Sequence, residues 1–351
     1  MRVYISINMA SSYFGRYTKS GENVLRLATY REPVFGLRRT AILFENHVVD
    51  LNTASRVYLK EQEGDFAFAA YSDYFAPTSM MSVIERGESV IAHIDRVFKH
   101  FSTELREEAR GPAGEHYVFP RGEVVLDAPL RPGKIVHTAG NFREHAKEGG
   151  EAGWPFPIPQ WISFLKNPDA VIGHDDFIQK PSFTGQLDHE LEMGIIIGKK
   201  IKNVGSDKSY ESVFGFTVFN DVTARDLQKE EMKNGLLNYG KNLDTFAPLG
   251  PCIVPRQYIG DVHNLTMELR VNGDVRQAGS TSRLSVRVEE IVAKYSWATL
   301  YPGDMISTGT ISGVAAFRKP DPTPFFLKAG DVLECEIERI GLLRNTVRNA
   351  E

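Results

Sequence analysis

The sequence predicts an α+β protein, mainly β, with a small α/β unit in front of a larger mixed-sheet domain. Three observations lead there. From residue 127 onward the chain is a series of short apolar segments closed by Gly and Pro, of strand rather than helix length. Helical periodicity is confined to a few isolated stretches, so strands and helices do not alternate as a doubly wound sheet requires. A polar, turn-rich stretch, EEARGPAGEHYVFPRGEV, sets the two parts off, with domains expected at 1–126 and 127–351.

In chain order, the first ~20 residues are polar and aromatic without clear period, and are expected to be a loosely held arm. NVLRLATY, RRTAILFE and HVVDL then read as strands broken by Pro33, Gly36 and Asn46. Apolar residues at three- and four-residue spacing predict one helix over residues 79–105. In the second part ELEMGIIIG, VFGFTVFND, LGPCIV, LTMELRVNGDV, GDMISTGT and GDVLECEIERIG read as strands. NFREHAKEG, DVTARDLQKEEMK and VRVEEIVAKYSWATL carry the helical signals. This pattern points to a rolled or sandwich-like mixed sheet.

Composition removes several classes of function. The 351 residues are 42% hydrophobic and 25% charged, as in ordinary globular proteins, with enough length for two domains. A net charge of −4 with interspersed signs gives nucleic acid no general binding surface. No stretch approaches the ~18 consecutive apolar residues of a membrane helix, and the N-terminus lacks the apolar run of a secretory signal. The two cysteines, Cys252 and Cys335, sit in apolar strand text without CxxC or His neighbours. They read as buried core residues rather than sulfur-type zinc ligands, and a reducing cytoplasm is the expected setting.

The strongest chemical signal is LDHELEMGIIIGKKI. Alternation along a strand puts Asp188, Glu190 and Glu192 on one face, with Leu191, Met193, Ile195 and Ile197 on the other. Three acids side by side repel, so something positive must offset them. Downstream, VFGFTVFND ends an apolar strand on Asp221, ahead of a helix expected from about Thr223. Glu190, Glu192 and Asp221 together offer three hard oxygen donors, which suits Mg²⁺ or Mn²⁺, less well Ca²⁺, and disfavours zinc. The competing reading is that these acids are solvated, or paired with Lys199, Lys200 or Arg225. Asp226, Glu230 and Glu231 read as a solvated helix face.

Taken in order, TAGNFREHAKE, FLKNP, DHELEMGIIIGKKI, VFGFTVFNDVTARDLQ, YGKNLDTFAPLGP, LRVNGDVRQ and STGTISGV resemble the fumarylacetoacetate hydrolase family over about Ile135 to Ile340. The front part resembles it only loosely, in AILFENHVVDLN. The resemblance implies a mixed β-roll catalytic domain, a homodimer, and a metal held by Glu190, Glu192 and Asp221, with Asp188 a bystander. It further implies that His145 and Glu148, in NFREHAKEGG, activate water. Their i, i+3 spacing places them on one helical face, with Glu144 and Glu151 as rival partners for the imidazole.

Lys241 matches a lysine that neutralises negative charge on the substrate. Lys166 matches another recurrent lysine, although Asn167 here separates it from the proline. Gly309 and Thr310 are expected at the substrate carboxylate and Gln228 near it, whereas Arg225 and Asp226 are expected to be structural. The implied activity is hydrolysis of a carbon–carbon bond in an acylpyruvate- or fumarylpyruvate-like 2-oxo acid. Decarboxylation, tautomerisation or hydration at the same site are alternatives, and a non-catalytic metal- or metabolite-binding protein is an alternative of another class. The insert EAGWPFPIPQW, with Trp154, Phe156 and Trp161, reads as the shaper of an apolar entrance or as ordinary loop packing. The glycines at 149, 150 and 153 make the helix end a candidate lid.

Overall fold

A computed structural model describes residues 24–63, 71–103, 105–153 and 162–351. The arm expected over the first ~20 residues and the aromatic insert with Trp154, Phe156 and Trp161 lie outside them. Every residue of the strand Leu191–Ile197, LEMGIII, is buried, because a strand covered on both faces favours a near-continuous run of branched apolar side chains. Val213–Asn220 and Met305–Ser307 flank it antiparallel.

A mixed sheet extends from this centre both ways. On one side it continues through Ala247–Pro255 to the front strands Leu27–Arg31, Arg38–Leu43, His47–Asp50 and Val118–Pro120. On the other, Ile135–Ala139 joins Met305–Ser307 in parallel, and Ile162–Lys166 forms the edge. The front strands are therefore hydrogen-bonded into the same sheet as the strand that carries Glu192. Residues 126 and 127, at the expected domain boundary, lie inside the strand Val125–Asp127, which pairs with Leu27–Arg31.

Alternation along the central strand divides two cores. Met193, Ile195 and Ile197 pack with Met267, Leu269, Cys335 and Ile337 of a second, five-stranded sheet. Ile196, with Phe214, Phe219 and Ile253, packs instead against Val83, Ile84, Val90, Ile94 and Val97 of the front helices. Each fully buried side chain of this size contributes roughly 1.5–3 kcal/mol through burial. The result is a helix–sheet–sheet stack in which Glu192, carried on a two-sided strand, is fully buried.

Two sequence expectations change in detail, and one helix is new. The helix expected over residues 79–105 is two, Met80–Arg86 and Glu88–Thr103. Gly87 interrupts it at φ +52°, a conformation that side-chain-bearing residues avoid, and its N–H caps the first helix on the Val83 carbonyl. The helix expected from Thr223 begins at Arg225, because Thr223 and Ala224 pair with Leu187 and Asp188 first. The helix Leu51–Glu63 has no counterpart in the sequence reading. Cys252 and Cys335 are buried and form no disulfide. Among the described residues, no helix is long and apolar enough to cross a membrane.

Candidate active site

The strand containing Asp188 ends before Glu190, so the three acids of DHELE are not on one continuous face. Asp188 turns to the loop 315–316 instead. Its carboxylate accepts from the backbone N–H groups of His189, Ala315 and Ala316 and from Arg225 Nε at 2.8 Å. Although burial opposes it, the Arg225 guanidinium and these donors hold its carboxyl below the usual range. Asp188 is a structural carboxylate.

Glu190, Glu192 and Asp221 do converge, and His137 joins them. One ligand atom from each of the four lies within 4.8 Å of all the others, and all four residues are buried. His137 Nε2 is 2.9 Å from Glu192 Oε2 and 2.8 Å from Asp221 Oδ2. The required positive charge sits on the outer side of the acids. Lys241 Nζ lies 2.5 Å from Asp221 Oδ2, 3.0 Å from Glu190 Oε2 and 2.9 Å from the Thr223 hydroxyl. Arg225 Nη2 lies 2.6 Å from Glu190 Oε1, and Lys166 Nζ is 2.5 Å from Asp221 Oδ1. Lys199 pairs instead with Glu88, and Lys200 lies over the Tyr301 ring.

These contacts split the protonation behaviour of the acids. Burial pushes Glu192 up to about 7, only partly offset by His137. Burial also disfavours the Asp221 carboxylate, but His137, Lys166 and Lys241 outweigh it and hold the group well below the usual range. For His137 burial acts downward, and the Asp221 and Glu192 carboxylates more than reverse it, to about 9.

The donor set fits a divalent cation. Glu192 Oε1 is buried without a hydrogen-bond partner, and neither ring nitrogen of His137 has an aligned one. A carboxylate oxygen left unpartnered in the interior is costly unless a cation occupies the space it faces.

Beside the acids, helix Arg143–Glu151 brings His145 Nδ1 to 2.9 Å from Glu148 Oε1. Glu148 is held in turn by the Gly313 N–H, 3.0 Å and 2.9 Å from its two oxygens. The rival acids are engaged elsewhere, Glu144 with Arg283 and Glu151 near Lys147. His145, His137, Glu190, Glu192, Lys241, Gln228 and Thr310 all line one cavity of about 580 Å³, part of it open to solvent.

The remaining candidates are held by hydrogen bonds and close packing. Gln228 Oε1 accepts from Arg225 Nη1, and the Thr310 hydroxyl bridges Gln277 and the Leu191 carbonyl. Gly309, at φ +84°, packs so closely that a Cβ would lie 2.7 Å from the Thr138 carbonyl oxygen. The Lys166 ammonium is fully enclosed, bonded to Asp221 and to the carbonyls of Val222 and Lys241. Arg225 and Asp226 hold structure, the latter by accepting from Thr184 and the Gly185 N–H. His137 and Ser307, whose hydroxyl donates to Glu192 Oε2, were not singled out from sequence. The one available signal was an ionisable residue within the apolar strand text KIVHTA.

Fold and site together define a member of an enzyme family that carries a buried candidate site for a divalent cation. The model of the family described as "Fumarylacetoacetate (FAA) hydrolase C-terminal" matches residues 134–348, and the chain belongs to the fumarylacetoacetate hydrolase family. The human protein named "Oxaloacetate tautomerase FAHD2A, mitochondrial" is 38% identical over 275 residues, covering 77% of this chain and 80% of that relative. Fumarylacetoacetate hydrolase from Exiguobacterium antarcticum matches with a TM-score of 0.68 and 30% identity, over 93% of this chain and 100% of that one. Maleylpyruvate hydrolase from Sphingobium sp. SYK-6, solved in complex with manganese(II) and pyruvate, matches with a TM-score of 0.65 and 25% identity over the same shares.

Proposed function

We propose that this chain hydrolyses a carbon–carbon bond in a β-diketo 2-oxo acid, of the acylpyruvate or fumarylpyruvate kind. The observation that carries the reading is the His145–Glu148 pair, in which Gly313 anchors Glu148 and His145 lines one cavity with Glu190 and Glu192. Such a pair serves to activate water, which tautomerisation does not consume. Mg²⁺ or Mn²⁺, held by Glu190, Glu192 and Asp221, would supply Lewis acidity toward the 2-oxo acid end of the substrate.

The chain's own groups account for the proton and bond changes. Glu148 fixes the proton on His145 Nδ1, so Nε2 takes a proton from water. The hydroxide so formed adds to the carbonyl carbon two bonds beyond the 2-oxo carbon. The bond between that carbonyl carbon and the intervening methylene then breaks, releasing a carboxylic acid. Its electron pair stays with the pyruvate fragment, to which the proton carried by His145 returns. Lys241 keeps positive charge beside the acids, and Gln228 and Thr310 border the carboxylate end.

Apart from Thr138 and Arg225, the latter paired with Asp188 and Glu190, the cavity's other lining, including Ile162, Met232, Leu237 and Phe317, is apolar, and residues 154–161 carry no charge. These features favour an apolar acyl group over a second carboxylate. A second reading, tautomerase activity on oxaloacetate, is favoured by the similarity to the human protein of that name. Homodimer formation is part of the proposal, and sedimentation at micromolar concentration tests it.

The deciding experiment compares acylpyruvates, fumarylpyruvate and oxaloacetate with Mg²⁺ or Mn²⁺, before and after chelation, in the parent and His145→Ala. Cleavage products formed by the parent and lost in His145→Ala support hydrolysis. Tautomerisation of oxaloacetate without cleavage of any acylpyruvate would replace it with the second reading.

A further inference from the structure

His137 lies on the strand next to the sheet's edge, between Ser307 on one neighbour and Phe164 on the other. Its side chain is 2% exposed, and the Phe164 ring stacks on it with centroids 4.3 Å apart and planes 18° apart. The ring is thus fixed by packing rather than by hydrogen bonds, since neither nitrogen has an aligned partner. An imidazole serving as an ion-pair donor directs its N–H along the line to one oxygen. Here Nε2 straddles two carboxylate oxygens at 2.8 and 2.9 Å and is aligned with neither.

Those separations match the edge of a small coordination octahedron. Ligand bonds of about 2.0–2.2 Å, the range of small divalent cations, place neighbouring donors roughly 2.8–3.1 Å apart. Glu192 Oε1, buried and without a partner, belongs to the same enclosure. A purely oxygen site would suit Mg²⁺, whereas an imidazole nitrogen favours first-row transition cations.

We propose that His137 Nε2 is a fourth protein ligand beside Glu190, Glu192 and Asp221, and that this nitrogen makes the centre prefer a transition dication such as Mn²⁺ over Mg²⁺. The inference rests on the reading of the three acids as metal ligands. Nδ1 lacks the acceptor that usually orients a ligating histidine, and the Phe164 stack performs that task here.

The test uses the full-length protein stripped of metal with a chelator and titrated with Mn²⁺ alone. Pulsed electron paramagnetic resonance of the bound Mn²⁺ should show nitrogen coupling from an imidazole. The coupling should persist in His145→Ala and vanish in His137→Asn and His137→Gln. Competition between Mn²⁺ and Mg²⁺ should show the preference for Mn²⁺ falling by about tenfold or more in both His137 variants. Mn²⁺ bound to the parent without nitrogen coupling overturns the proposal, whether or not the variants fold. If Glu192→Gln nevertheless abolishes that binding, the three-acid site stands and only the role of His137 fails. No Mn²⁺ binding by the parent overturns both.

Discussion

Asp188→Ala isolates the part of the site that holds its shape without touching a metal or substrate. The Asp188 carboxylate is fully buried and accepts from three backbone N–H groups and from Arg225 Nε. Removing one partner of a buried ion pair costs about 3–5 kcal/mol. Each backbone N–H left without an acceptor adds ~1–3 kcal/mol. These losses share one cavity that water can enter, so they do not add fully. About 5 kcal/mol is a fair floor, against a net stability of about 5–15 kcal/mol for a folded domain. At ~2 °C per kcal/mol for a chain of this size, Tm should fall by about 10 °C or more. The loop carrying Ala315 and Ala316 also carries Gly313, which anchors Glu148, so hydrolytic kcat should fall as well. Circular dichroism melts at neutral pH measure the first effect and product formation the second. Asp188→Asn, with one acceptor oxygen instead of two, should fall between parent and Ala. An Asp188→Ala protein melting within ~2 °C of the parent would refute the reasoning.

Other perturbations separate chemistry from support. His145→Ala should lower carbon–carbon hydrolysis by ~10²–10⁴ and Glu148→Gln by a smaller factor, with Mn²⁺ affinity by calorimetry unchanged in both. Gly313→Ala would place a Cβ 2.3 Å from the Arg276 carbonyl oxygen at φ +106°. The loop must shift, and kcat should drop toward the Glu148→Gln value while bound Mn²⁺ persists. His93 and His174 are pushed down by burial, to about 4 and about 3. Both are neutral when folded but bind protons when unfolded below about pH 6.5. Their contribution is therefore fully present above that pH and is lost as pH falls toward 4. Melting temperature should decline across this window, and less steeply in His93→Gln.

How far the sequence disclosed all this depended on the kind of constraint. LEMGIII read as a strand with an apolar face toward the core, and its acids were legible because period-2 alternation is local. The same alternation misplaced Asp188, since pairing of Leu187–Asp188 with Thr223–Ala224 is a long-range event that ends the strand early. Gly87 sits within an otherwise unbroken helical period, so its positive φ shows only in the folded backbone. The His145–Glu148 spacing was local and legible, while the Gly313 N–H that holds Glu148 comes from 165 residues away. His137 was hidden because one histidine in apolar text gives no partner. Only the parallel pairing of Ile135–Ala139 with Met305–Ser307 carries it to Glu192.

Lys166 tests whether a residue matched to a family lysine serves the substrate or the fold. Its ammonium has three hydrogens and three acceptors, Asp221 Oδ1 and the carbonyls of Val222 and Lys241. It is not among the residues lining the cavity. Lys166→Met removes a cation from beside acids that repel one another, at a cost of about 3 kcal/mol, because Lys241 still pairs with Asp221. The metal-free protein should therefore melt about 6 °C lower. A bound dication would take over the lost compensation, so saturating Mn²⁺ should raise Tm more in the variant than in the parent. A lysine that binds substrate behaves oppositely: KM rises, while the metal-free melt and the Mn²⁺-induced shift stay at parental values. Melts with and without Mn²⁺, beside one KM measurement, decide between the two roles.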